Sequence, residues 1–390
     1  MAPELRGAGL SAAGPGSGRA LPFADPAADH APIAAALEAA AARVIRSGRY
    51  VLGPEVGAFE GELASALGVA HAVGVSSGTD ALIAMLMAAG VGPGDEVVTS
   101  PFSFFATAAA IVRVGARPVF ADVEPATLNI DADAAVAALG PHTKAVLVVH
   151  LFGRVAETAP IAAACTARGI ALFEDAAQAI GAAAADGRRA GGLGAAAALS
   201  FFPTKNLGAL GDGGAVLTDD ADLAARVRRL RVHGADRKNH HLQVGGNLRL
   251  DELQAALLRV KLPHLPRWTE ARRALAGTYR RGLRGLPLAL PPDDAGAVWN
   301  QFVVRVNAAD RDELARHLGA HGIPTEIYYP HALHLQPALA FLGRRAGAFP
   351  VAERAATEVL ALPIHPSLAP EQVEPVTSCV ARYFETRGGS

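Results

Sequence analysis

The chain has little of what builds cross-links, membrane spans or charged recognition surfaces. Its 390 residues include two cysteines, Cys165 and Cys379, too few and too far apart in sequence for a disulfide framework or a zinc site. A reducing cytoplasm and no bound metal are the expectations. The formal net charge of -1 leaves no electrostatic case for nucleic acid or an anionic membrane as a partner. The longest apolar runs, such as Ala81 to Val91, fall well short of the ~20 residues that span a bilayer, so no membrane insertion is expected. The first thirty residues are rich in Ala, Gly and Pro but lack a basic start followed by an unbroken apolar stretch. Residues 1–30 therefore read as a flexible tail and not as a secretion signal. Lysine is scarce as well: Lys144, Lys205, Lys238 and Lys261 are the four, and arginine supplies the remaining positive charge.

That scarcity makes each lysine informative. A chain that favours arginine keeps lysine most readily where a guanidinium cannot substitute, and imine formation needs a deprotonatable amine. Lys205 is the candidate, in Ser-Phe-Phe-Pro-Thr-Lys-Asn-Leu-Gly-Ala-Leu-Gly-Asp-Gly-Gly, where Gly208, Gly211, Gly213 and Gly214 suggest close backbone approach. Asp175, in Phe-Glu-Asp-Ala-Ala-Gln, ends an apolar strand and could face the ring nitrogen of a pyridine cofactor. Together the two residues suggest pyridoxal phosphate (PLP).

About half of the residues are apolar, enough for a large core and two domains. Short apolar strands near Ala72–Val75, Glu96–Thr99, Pro118–Asp122, Ala145–His150, Ala171–Glu174, Ala197–Phe201 and Gly214–Thr218 alternate with Ala/Leu-rich helices. That rhythm predicts an α/β fold with a mostly parallel sheet between helices, whose ligands collect at the carboxyl ends of the strands. The predicted division is a large domain over 31–265 and a smaller α/β domain over 266–390. A helix from Arg249 to about Leu262 closes the first. Trp268–Leu283 opens the second, followed by strand Trp299–Val306, helix Arg311–His321, strand Pro324–Tyr329 and helix Pro370–Glu385.

Ser76-Ser77-Gly78-Thr79-Asp80 joins a strand to a helix, where backbone amides and hydroxyls can hold a phosphate. An ordinary capped helix is the alternative. Ser200 could add a hydroxyl to the same phosphate. Phe104 could stack on a cofactor ring or belong to the core, Asp175 could simply cap the next helix, and Gln178 could hydrogen-bond a phenolic oxygen or be exposed. Gly192-Leu193-Gly194 fits a loose dinucleotide fingerprint but precedes a strand, so it reads as a turn. The run Arg237 to His241 reads as a solvated loop, because adjacent histidines are a weak ligand set.

The order of the motifs carries more than any one of them. Ser-Gly-Thr-Asp-Ala-Leu, Pro-Phe-Ser-Phe-Phe-Ala-Thr-Ala, Glu-Asp-Ala-Ala-Gln-Ala, Ser-Phe-Phe-Pro-Thr-Lys-Asn-Leu-Gly and Gly-Gly-Asn-Leu-Arg-Leu-Asp-Glu-Leu-Gln-Ala-Ala follow one another over Tyr50 to His365. This succession resembles the DegT/StrS-type sugar aminotransferases. The resemblance implies a fold type I PLP enzyme, alternating between PLP and its amino form PMP, that works as a homodimer with shared active sites. It implies a nucleotide-sugar substrate, UDP- or dTDP-linked, aminated at a keto carbon, C3 before C4, with glutamate as the amino-acid donor. By matching position, Lys205 would bind the cofactor covalently and then move the proton, and Asp175 would keep the pyridine nitrogen protonated. Gln178 would contact the phenolic oxygen, Phe104 would stack on the ring, and Gly78, Thr79 and Ser200 would hold the phosphate. Asn247 would reach the phosphate of the neighbouring subunit's cofactor and Arg249 the substrate's pyrophosphate; Tyr328 and His331 fall in a segment expected to touch the sugar. Some relatives are dehydratases with histidine in place of Lys205, so the lysine points to transamination. Ala332 stands where relatives often have proline and the 238–241 loop lacks a usual tyrosine, departures that bear on the substrate. Amination of a free cyclitol or aminoshikimate-type ring, and a PLP-binding regulator without turnover, are the alternatives.

Overall fold

The computed structural model describes residues 21–388. Its main sheet has seven strands: β1 (His71–Val75), β2 (Glu96–Thr99), β3 (Arg117–Phe120), β4 (Thr143–Val149), β5 (Ala171–Asp175), β6 (Ala196–Ser200) and β7 (Gly214–Thr218). Their spatial order is β1-β7-β6-β5-β4-β2-β3. The pairs from β3 to β6 are parallel, and β7 runs antiparallel to both β6 and β1. Nearly every residue of β4 and β7 is buried, as expected for strands covered on both faces. The helix Gly78–Ala88 reads Gly-Thr-Asp-Ala-Leu-Ile-Ala-Met-Leu-Met-Ala, apolar all round, and buries Ala81 to Leu86 and Ala88. It packs on β6 and β7 with its first turn at the carboxyl end of the sheet.

A short exposed hairpin follows, β8 (Ala235–Arg237) and β9 (His240–His241), where the sequence reads as a solvated loop. A second, antiparallel sheet is built from β10 (Leu288–Ala289), β11 (Phe302–Val306) and β12 (Val359–Leu362). The helices Leu265–Gly282, Ala308–Ala320 and Pro370–Gly388 cover it around a core containing Tyr279, Phe302, Leu314, Leu360 and Val376.

Three expectations need correction. The segment Pro324–Tyr329 is not a strand: only Glu326 pairs, with Ala361, and Tyr329 turns out with φ 61°. The place beside β11 belongs to β12, a four-residue apolar run that the reading above missed. The helix expected from Arg249 begins at Glu252, because Arg249 and Asp251 are held extended by bridges to Val75 and Val51. The carboxylate of Glu252 then accepts from the N–H groups of Gly53, Glu55 and Val56, capping the start of the helix Pro54–Leu67, an element the sequence reading also passed over. Finally, residues 1–20 of the expected tail lie outside the described residues, but 26–30 form a helix capped by Asp25. Asp29 ties that helix down by accepting from the Ser367 N–H and lying 3.8 Å from His365.

Candidate active site

The strand ends and the turns after them bring most of the predicted residues to one place. Gly78 and Thr79 open the helix after β1, with Ser77 as its cap accepting from the Asp80 N–H at 3.1 Å. The first N–H groups of a helix have no partner within it, so this turn presents donors to an anion. The fit across to β6 is close. A Cβ on Gly78 would stand 2.6 Å from Cβ of Ser200, and one on Gly214 would stand 2.4 Å from the Ser77 carbonyl oxygen. Only glycine lets the cap, the Ser200 hydroxyl and β7 converge there.

Asp175 ends β5, buried. Its Oδ2 accepts from Thr107 Oγ1 at 2.7 Å, Oδ1 accepts from the Ala177 N–H at 3.3 Å, and Ser103 Oγ lies 2.8 Å from the Thr107 hydroxyl. Burial raises its pKa, while the Thr107 hydrogen bond and the charge of Lys205 oppose the rise. Lys205 sits in the turn after β6, where burial pushes its pKa down to about 8 against the pull of Asp175. A lysine so placed holds a much larger share of free amine near neutral pH than an exposed one. Phe104, at the start of the helix after β2, is 61% exposed, so it is not a core residue.

Gln178 is buried, and its amide is engaged at both ends: Oε1 accepts from the Phe152 N–H at 2.7 Å and Nε2 donates to the Tyr329 hydroxyl at 2.8 Å. Tyr329 stacks on Phe152 with ring centroids 6.2 Å apart and planes 6° apart, and meets Phe102 edge-on. Burial raises the pKa of both Tyr329 and Tyr328, and Tyr328 packs between Phe23 and Phe152. His331 is exposed beyond them. Asn247 and Arg249 line an open cleft of about 570 Å³ together with Ser76, Ser77 and Asp80 of the same chain.

Behind the site lies an arrangement that the sequence reading missed. Glu174, fully buried, accepts from His150 Nε2 at 2.9 Å and from the N–H groups of Gly191, Leu193 and Gly194 at 2.7–2.8 Å. The Gly-Leu-Gly turn is thus an anion nest for a side chain of its own chain. His150 Nδ1 accepts from the Ala156 N–H, which places the ring proton on Nε2, facing Glu174. Thr107, Phe152 and Tyr329 were missed likewise as partners of Asp175 and Gln178; the buried His and Glu at adjacent strand ends were the available signal.

The residues present fit PLP: a buried carboxylate, a lysine with a depressed pKa, an exposed aromatic face, and a helix start packed so tightly that a Cβ would fill it. The family model for the DegT/DnrJ/EryC1/StrS aminotransferase family matches residues 32–381. The chain belongs to this family. Among its relatives, a pleiotropic regulatory protein of Geobacillus stearothermophilus is 48% identical over 346 residues, 87% of this chain and 92% of the relative. A dTDP-3-amino-3,4,6-trideoxy-alpha-D-glucose transaminase of Streptomyces venezuelae is 44% identical over 368 residues, 94% of this chain and 96% of the relative. The crystal structure of S. venezuelae DesV in complex with a ketimine intermediate superposes with a TM-score of 0.90 at 44% identity, covering 93% of this chain and 98% of that one. NtdA from Bacillus subtilis with bound cofactor PMP gives 0.87 at 30% identity, covering 94% and 85%. This DegT/DnrJ/EryC1/StrS aminotransferase is a PLP-dependent enzyme of fold type I.

Proposed function

We propose that the chain transfers an amino group from glutamate to the C3 keto carbon of a UDP- or dTDP-linked hexose, with C4 as the alternative carbon. The observation that carries the reading is the convergence of Lys205 and Asp175 with the Gly78–Ser200 cradle at one sheet edge, in a chain 44% identical to a dTDP-sugar transaminase. When bound, the cofactor supplies an aldehyde to carry the amino group and a ring to hold the electron pair of a broken C–H bond. Lys205 would anchor it and hold the migrating proton at Nζ; a pKa of about 8 leaves about a tenth of the amine free at pH 7. Asp175, held by Thr107, would keep a proton on the ring nitrogen. With the cofactor bound, Gln178 would face the phenolic oxygen and the exposed Phe104 would cover the ring. The first turn at Gly78 and Thr79 would hold the phosphate with Ser200. Asn247 completes the phosphate site of a second copy of the chain, Arg249 meets the substrate's pyrophosphate, and Tyr328 and His331 meet the sugar. The chain divides at about residue 265 into a large and a small domain.

Incubating the PMP form with a panel of keto nucleotide sugars tests the reading. Return of PLP absorbance with a 3-keto UDP- or dTDP-hexose is expected; a response confined to free keto cyclitols would overturn it. One observation favours a second reading, a PLP-binding regulator: the 48% identity to a protein named as regulatory. That reading requires the whole panel to give no turnover.

A further inference from the structure

Away from the cofactor site, the helix Ala308–Ala320 runs past the helix Pro370–Gly388. His317 lies in the last turn of the first and His321 caps its end, four residues on. Cys379 faces them from the second, fully buried and free. One nitrogen from each histidine and the Cys379 sulfur all lie within 4.8 Å of one another. Cys165 and Cys379 are too far apart in sequence to suggest a shared metal, but the fold sets Cys379 against a histidine pair at helical spacing.

Two further observations point to a ligand. Among the described residues, His317 Nε2 is buried and has no hydrogen-bond partner. His321 Nδ1 lies 2.8 Å from the His317 carbonyl oxygen, which can only accept. The proton of His321 is therefore on Nδ1 and a lone pair is left on Nε2, the arrangement by which a second hydrogen bond orients a metal-bound imidazole. The two rings lie 4.5 Å apart and Tyr383 backs the His317 ring at 5.5 Å.

We propose that His317, His321 and Cys379 bind a divalent cation of the Zn²⁺ class and pin the two helices together. Imidazole and thiolate are the donors such cations prefer, and bonds of about 2.0–2.3 Å need the three ligand atoms to close by about 1 Å. On binding, the Cys379 thiol gives its proton to water and the sulfur takes the metal; no oxidant or reductant is needed. His321 is exposed, so water completes the coordination and the site can load from solvent.

The test uses borohydride-reduced holoenzyme, stripped with EDTA and titrated with Co²⁺ or Zn²⁺. One equivalent per chain is expected, with visible d–d bands for Co²⁺ and a rise in Tm of about 3 °C when Zn²⁺ stands 100-fold above its Kd. His321→Ala, an exposed change that leaves the core intact, should weaken binding at least about 10-fold and cut the Tm rise at the same Zn²⁺ concentration to about half or less, with aminotransferase activity of the unreduced variant unchanged. Cys379→Ala should remove the thiolate-to-cobalt band. No stoichiometric binding to the wild type, or equal binding by His321→Ala, would overturn the proposal.

Discussion

Replacing Glu174 by glutamine swaps one oxygen of a fully buried carboxylate for an NH₂ group. Four donors converge on that carboxylate, two on each oxygen: His150 Nε2 and the Gly191 N–H on Oε2, the Leu193 and Gly194 N–H groups on Oε1. Whichever oxygen becomes the amide nitrogen, two donors then face a third. His150 cannot relieve the conflict by moving its proton, because Nδ1 is already accepting from the Ala156 N–H. Each orphaned buried donor costs about 1–3 kcal/mol, so the substitution should destabilise the fold by about 2–6 kcal/mol. With an unfolding entropy of about 0.8 kcal/mol/K for a chain of this length, Tm falls by about 2.5–7.5 °C. The assay is differential scanning calorimetry of both proteins at pH 7 and one fixed concentration. The pH dependence has a definite sign. Burial alone would raise the Glu174 pKa, but the His150 hydrogen bond and the backbone N–H groups outweigh it and hold the pKa below the usual value. The unfolded chain therefore binds this proton at a higher pH than the folded one. The stabilisation is fully present above the ordinary glutamate pKa and is lost as pH falls through the depressed folded value. A glutamine variant melting within 1 °C of the wild type at pH 7 would refute the reasoning.

Lys205→Ala should abolish covalent attachment of the cofactor after borohydride reduction, read by peptide mass; recovery of the label on Lys144 or Lys261 would be the contrary result. Because the Lys205 amine has a pKa of about 8 in the folded protein, capture of PLP by the apoprotein should speed up as pH rises to about 8 and level off above it; stopped-flow absorbance follows this, and a flat profile from pH 6 to 9 would contradict it. Asp175→Asn keeps the shape but removes the anion, so cofactor should still bind while kcat falls by about 10²–10⁴, as in other losses of a group acting on the reacting atoms; unimpaired turnover would remove Asp175 from the chemistry. Mixing inactive Lys205→Ala chains with inactive Asn247→Asp chains should restore partial activity after subunit exchange, since one composite site regains both residues. If exchange is confirmed by mass and activity stays at the level of the separate variants, Asn247 acts within its own chain.

The residues at the strand ends were readable in the sequence because their signals are local. An apolar run followed by Ser77-Gly78-Thr79, by Asp175, or by the glycine-rich turn holding Lys205 states its own geometry within a few residues, and all three groups stand at the carboxyl edge of the sheet. The partners of those residues were not readable. Thr107 reaches Asp175 across 68 residues and Tyr329 reaches Gln178 across 151, so no window of sequence contains both members of either pair. The same holds for Glu252 accepting from the N–H groups of Gly53, Glu55 and Val56 and for His317 meeting Cys379. Local composition also misled where tertiary pairing prevailed: Pro324–Tyr329 has strand-like residues, but β12 took the position beside β11 and left Tyr329 free to turn toward Gln178. By itself, then, the sequence determined the α/β rhythm, the candidate lysine and carboxylate, and their place at strand ends, because backbone propensity and apolar periodicity act over short spans. Tertiary structure alone decided which donors surround Glu174, what holds Asp175 and Gln178, and which cysteine faces two histidines, because those choices depend on how distant segments pack.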